Sequence, residues 1–290
     1  MTGVVELTDL STEALKAKAL RALNNLPPFS PILNRLMAML AGEDVSFAKL
    51  GDLIEKDTVV AGNLLHLVNS ALYGRRGTVN SVRHAVSILG VDKLRNAVLG
   101  MSLTRMWSKV KVPGSWSSPR FDLHSASVAI LSDLLAQKLP VDYPEGAFVA
   151  GLLHDLGQLL IATSLPEHFE RIDPADRIAS EREILGFTHP ELSSEALAAW
   201  NLPAAIQIAV LYHHDPESDG SASAGTLPLS QIVWAANHYA NASGVSIAKC
   251  SDASDPAVIQ TLGLRAEQVQ QLTAEFQSEC DVMMHYFRPN

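Results

Sequence analysis

The chain has 290 residues, 47% hydrophobic and 18% charged, a composition that builds a packed core and excludes a disordered polymer. A formal net charge of −9 and a pI near 5.5 exclude general binding to a nucleic-acid backbone, which needs a basic surface. Two cysteines, Cys250 and Cys280, exclude a disulfide framework and a thiolate metal site, and they fit a reducing, cytoplasmic setting.

Met1 to Ser11 carries acidic residues and no apolar core, so it reads as no signal peptide. No apolar run is expected to approach the length of a membrane span. The helical period dominates, and strand-like alternation is scarce. Leu26-Pro27-Pro28 closes a first helix, Thr12 to Leu23, and Ile32 to Leu40 reads as a second. Asp57 caps a helix over Thr58 to Leu72, whose apolar stripe is Ala61, Leu64, Leu65, Val68 and Leu72, with Gly74 as its stop. Ser81 to Leu89 and Asp92 to Trp107 follow as separate helices. Val112 to Pro119, rich in Pro, Gly and Ser, is the best internal boundary. Further helices are predicted at 121–138, 144–163, 178–186, 189–200, 203–213, 227–241 and 265–285, and Ser218 to Gly225 reads as an exposed, flexible loop. The expected fold is all-α, a two-part bundle of an N-terminal half, 1–115, and a second half, 116–290.

Within 144–163, the run Ala147 to Ile161 is nearly all apolar apart from His154, Asp155 and Gln158. A continuous helix there would place Gly151, His154, Asp155 and Gln158 within one facet of about 100°. A helix that is apolar on its other faces is buried. A buried carboxylate beside a buried imidazole is costly unless paired or metal-bound. The adjacent His and Asp therefore make this facet a candidate metal site.

Other histidines in this half fit the same chemistry. His124 lies early in the preceding helix. Thr188-His189-Pro190-Glu191 is a capping box, which puts His189 in the first turn of its helix. The doublet His213-His214, followed by Asp215-Pro216, closes the next long helix. Helical bundles build metal sites from ligands on separate helices in this way. His66, His84, His168, His238 and His285 read as surface or hydrogen-bonded core residues. Arg75-Arg76, which with Arg83 and His84 could form a local basic patch, reads as an exposed loop after a helix stop.

The order His124, His154-Asp155, His189, His213-His214 resembles the ligand order of the HD metal-dependent phosphohydrolase superfamily. The first half is more specific. Leu26-Pro27-Pro28, Leu53 to Asp57, Leu64 to Gly74 with its Asn69-Ser70-Ala71-Leu72-Tyr73-Gly74 stretch, Ser81 to Gly90, and Leu94-Arg95-Asn96 closely resemble the HDOD domain. This resemblance implies a bacterial signalling or regulatory module related to HD phosphohydrolases. It implies one metal at His124, His154 and Asp155, with Asp155 bridging to a second held by His189, His213 and His214. Iron, manganese or a similar divalent ion, one or two per chain, is the expected cofactor. If the chain is catalytic, Asp155 is the residue that carries it.

Two positions depart from the enzyme pattern. HD enzymes end the site with an Asp where this chain has Asn237, a neutral oxygen ligand. HD-GYP phosphodiesterases carry a Lys after the HD pair where this chain has Gln158, and their Gly-Tyr-Pro element is absent. The expectation is a regulatory protein with a largely retained metal site, weakly catalytic or inactive. Its partners would be a signalling protein and a phosphorylated small molecule. The alternative is a metal-dependent phosphohydrolase acting on nucleotides or cyclic dinucleotides.

Overall fold

A computed structural model describes residues 11–26, 30–40, 47–69, 78–247 and 256–287. Every regular element among them is helical, and the strand-like pairing Val141–Leu227 is an isolated bridge. The helices are α1 (Thr12–Arg21), α2 (Pro31–Leu40), α3 (Phe47–Lys56), α4 (Thr58–Val68), α5 (Val82–Trp107), α6 (Ser118–Ala136), α7 (Ala147–Leu153), α8 (Leu156–Ser164), α9 (Pro166–Phe169), α10 (Arg177–Leu185), α11 (His189–Ala199), α12 (Ala204–Leu211), α13 (Leu229–Ala242) and α14 (Ala266–Phe287). Short 3-10 turns at Ala22–Asn25, Pro144–Gly146, Pro216–Ser218 and Pro256–Leu262 join some of them.

In the first half, α2, α3 and α4 pack on the long α5. Asp57 caps α4 as expected, its Oδ1 accepting from the Val59 and Val60 amides at 3.1 Å. The helix ends earlier than Leu72. Asn69 closes it, its Nδ2 donating to the Leu65 carbonyl at 2.7 Å and to the Val79 carbonyl at 2.8 Å. The Asn69 Oδ1 also accepts the Val79 amide, so one side chain ties two chain segments together. Pro27, Pro28, Leu72, Gly74, Arg75, Arg76 and Cys250 lie outside the described residues. α5 is kinked at Gly90, whose φ of 73° separates the two helices expected there. α3 had no counterpart among the predicted elements.

In the second half, α6 is the central helix. From Phe121 to Ala136 its residues are buried, apart from half-buried Leu123 and Asp133. It packs against α7, α13 and α14, while α11 packs on α8 and α12. α1 docks on α8, α10 and α11. Where α5 meets α6, Trp107 and Trp116 pack on Phe121, with ring centroids 5.2 and 5.0 Å apart. One hydrophobic core runs from Leu15 to Cys280.

Three expectations are corrected. The helix expected over 144–163 is interrupted at His154 and Asp155, so the four-residue facet of a continuous helix does not exist. A continuous helix would give the Gly157 amide to the Leu153 carbonyl. Instead the Ser193 hydroxyl takes that amide at 2.7 Å. The stretch Pro144–Ser164 does have the length and composition of a membrane span, contrary to expectation, but 94% of its most apolar window is buried inside the protein. The loop after Ser218 is exposed over 220–225 yet pinned. Ser230 donates to Asp219 at 2.6 Å, and Asp142 accepts from the Ser223 amide and the Thr226 hydroxyl.

Candidate metal centre

The break between α7 and α8 sets the geometry of the site. His154 follows the last turn of α7, and Asp155 precedes α8 with φ −100° and ψ 13°. A Cβ on Gly157 would lie 2.2 Å from the His189 carbonyl oxygen, so only glycine lets α8 and α11 approach this closely. That contact brings Asp155 to His189. The expected capping box is present, with the Thr188 amide on the Glu191 carboxylate at 2.9 Å. It fixes His189 at the start of α11. His213 lies just past α12, and His124 reaches in from α6.

Six of the expected ligands converge. Ligand atoms of His124, His154 and Asp155 lie within 4.8 Å of one another, and so do those of Asp155, His189, His213 and His214. Asp155 belongs to both groups. Its Oδ2 is 3.1 Å from His154 Nε2 and 3.5 Å from His124 Nε2. Its Oδ1 is 3.0 Å from His189 Nε2 and 3.8 Å from His213 Nε2. His124, His154, Asp155, His189 and His213 are buried, and His214 opens to solvent. Asn237 is the seventh expected ligand. It is buried on α13, and its Oδ1 accepts from Asn241 at 3.1 Å.

The outer nitrogens of the four buried rings are all engaged. Nδ1 of His124 bonds the Val245 carbonyl at 2.8 Å, and that of His154 the Gly151 carbonyl at 2.8 Å. Nδ1 of His213 bonds the Val210 carbonyl at 2.6 Å, and that of His189 the Glu181 carboxylate at 2.8 Å. A carbonyl or carboxylate only accepts, so each Nδ1 carries a proton, and in its neutral form each ring turns an Nε2 lone pair inward, where a metal would take it. His124 Nε2 and His154 Nε2 then face each other at 3.3 Å. The Nε2 atoms of His189 and His213 and the Oδ1 of Asp155 are buried without hydrogen bonds. Acceptors gathered face to face in a buried site are costly alone and are satisfied by a cation. Imidazole nitrogens with one carboxylate suit a first-row divalent ion, so the residues present fit a divalent metal.

The charges agree with this pattern. Burial opposes ionisation of Asp155, but positive charge on His154 and the close approach of the surrounding imidazole nitrogens hold its carboxyl well below the usual range. Burial, then the neighbouring His214 and His154, drives His213 well below the ordinary imidazole value. Burial works the same way on His189, but Glu181 and Asp155 on either side outweigh it and push the ring up to about 9, so a proton on its Nε2 competes with a metal ion for the same place. The site therefore draws positive charge between two carboxylates.

Glu181 and Ser193 were absent from the expected site. Glu181 sits in the charged run Ser180-Glu181-Arg182-Glu183, which reads as a solvated helix face, yet it is fully buried. Its spacing of eight residues before His189 was the available signal. His238 is not among these ligand groups; it is half-buried and packs at a tilt against Trp234, with ring centroids 4.8 Å apart.

Comparison with known proteins agrees with the fold. The chain resembles the crystal structure of an HDOD domain protein of unknown function from Geobacter sulfurreducens, with a TM-score of 0.74 and 24% identity over 96% of this chain and 98% of that one. It also resembles a candidate phosphohydrolase of Shewanella amazonensis, TM-score 0.71 and 23% identity over 94% and 98% of the two chains. A candidate signal-transduction protein of Marinobacter aquaeolei gives a TM-score of 0.69 and 23% identity over 96% of this chain and 67% of that one. An uncharacterized protein of Treponema pallidum (strain Nichols) is 22% identical over 70% of this chain, which spans 40% of that relative's length. The HDOD family model matches residues 26–216, and the chain belongs to the HDOD family.

Proposed function

We propose that this chain is a regulatory HDOD protein that keeps a divalent-metal pocket and hydrolyses phosphoesters slowly or not at all. The observation that carries this reading is the convergence of four Nδ1-anchored imidazoles on the two oxygens of Asp155. In that reading His124, His154 and Asp155 hold one ion, and Asp155, His189, His213 and His214 hold a second. A divalent ion there supplies Lewis acidity toward a phosphoryl oxygen. The first half, 1–115, would offer the surface that meets a signalling protein, and the exposed His214 side of the cluster would meet a phosphorylated small molecule.

The low activity is an electrostatic argument. Phosphoryl transfer needs positive charge around the phosphate as negative charge moves. Gln158, at the position of the HD-GYP lysine, is buried and its Oε1 has no hydrogen bond. Asn237 is neutral where an aspartate would help retain the metal. Losing one charge-assisted contact to a developing anion costs about 3 kcal/mol, roughly a hundredfold in rate. The second reading, a phosphohydrolase acting on nucleotides or cyclic dinucleotides, is favoured by the completeness of the histidine set.

Elemental analysis of gently purified protein should find iron, manganese or a similar ion, and Asp155→Ala should lose it. A panel of cyclic dinucleotides and nucleoside phosphates with added manganese should show little turnover. Robust hydrolysis that disappears in Asp155→Ala would replace the regulatory reading with the phosphohydrolase.

A further inference from the structure

The two ligand groups share Asp155, yet what stands behind them differs. Behind His124 and His154 are neutral backbone carbonyls, of Val245 and Gly151. Behind His213 is the Val210 carbonyl. Behind His189 is a carboxylate. One oxygen of Glu181, Oε2, accepts both the His189 backbone amide at 2.7 Å and the His189 Nδ1–H at 2.8 Å. This double grip holds the ring and the start of α11 together.

Glu181 is fully buried, and its other oxygen makes no hydrogen bond. The Arg177 guanidinium stands 3.9 Å from that oxygen, across a gap wider than a hydrogen bond. The negative charge of Glu181 therefore acts on His189 in a water-poor setting, where electrostatic coupling is strong. A carboxylate on the far nitrogen makes an imidazole a better electron donor at its near nitrogen and fixes its direction. The His124 and His154 rings have no such anion on Nδ1.

We propose that Glu181 is the positioning residue of His189, and that it makes the Asp155, His189, His213 and His214 group the tighter of two unequal metal subsites, filled before the group of His124, His154 and Asp155. This rests on the metal reading given above and adds an order of filling to it. Glu181→Gln is the discriminating variant, because the amide oxygen can still accept both N–H groups while the charge is gone.

The test is a titration of metal-free protein with manganese(II) alone, followed by calorimetry and by the spin-resonance signal of free ion. Wild type should show two unequal steps. Glu181→Gln should weaken the tight step by about 10- to 100-fold and leave the weak one in place. His124→Ala should remove the weak step and keep the tight one. Unchanged binding in a folded Glu181→Gln protein, or loss of the tight step in His124→Ala, overturns the assignment.

A second readout needs no metal. Long-range proton–nitrogen spectra of the metal-free wild type should show a His189 Nδ1–H that is shifted far downfield and protected from exchange. Its absence overturns the Glu181 tether even if manganese binds. Wild type that takes up no manganese in either step sinks the metal reading and the filling order together, while the spectra still judge the tether by itself.

Discussion

Two long helical stretches in this molecule are interrupted, and the interruptions are built differently. In α5 the break falls on Gly90, at φ 73°, and a Cβ added there would meet nothing within 4 Å. The conformation is local, available to glycine and disfavoured for other residues. Between α7 and α8 the break falls on His154 and Asp155, both with negative φ. Neighbouring elements hold it open: Ser193 takes the Gly157 amide, and the His189 backbone lies against Gly157. The first break bends a scaffold. The second turns a buried helix into a ligand-bearing corner, and it exists only because α11 is packed beside it.

The contrast can be broken at three positions. Gly157→Ala should have the largest effect, because its Cβ would meet backbone, which cannot rotate away. Separating α8 from α11 should cost about 3 kcal/mol, seen as a lower urea midpoint, with loss of the ordered His189 ring. An unchanged midpoint would mean that the close approach is not part of the native state. Ser193→Ala comes next. It leaves a buried amide without its acceptor, a loss of about 1–3 kcal/mol unless α7 and α8 fuse and Leu153 takes the amide back. A crystal structure of the variant distinguishes these outcomes, and a fused helix would displace Asp155. Gly90→Ala should be mildest, about 1–2 kcal/mol from a backbone at φ 73° and ψ 176° that is open almost only to glycine. Its metal content should stay at the wild-type level, and a drop would show that the bend in α5 reaches the site.

The same contrast explains what could be read in the sequence. The break at Gly90 was legible because glycine carries it. So were the Asp57 cap and the Thr188–Glu191 box, since their partners lie within three residues. The all-α class followed from the helical period. His124, His154, Asp155, His189, His213 and His214 were legible as ligand-type residues, and the family resemblance grouped them. The break at Asp155 was hidden because the apolar pattern continues on both sides of the His154-Asp155 pair, as one helix would. Glu181 was hidden for the opposite reason: its neighbours Arg182 and Glu183 are exposed, and nothing local marks the one face that turns inward. α3 escaped notice although Leu50 and Ile54 are fully buried one turn apart. Its charged residues and central Gly51 dilute a short apolar stripe.

The docking of α1 has a consequence for how the molecule is made. α1 rests on α8, α10 and α11, and Lys16 pairs with Glu195, 179 positions later in the chain. A ribosome adding roughly 5–20 residues per second takes about 10 to 40 s to travel between those two residues. For that interval the first described helix has been synthesised and its docking surface has not. Leu15 and Ala19, buried in the finished protein, have no native cover until α8 and α11 emerge. Contacts this distant in sequence also slow folding once the chain is complete. The corner at Asp155 and the helix docked against α8 and α11 are thus assembled late and together, and birth order along the chain is not folding order.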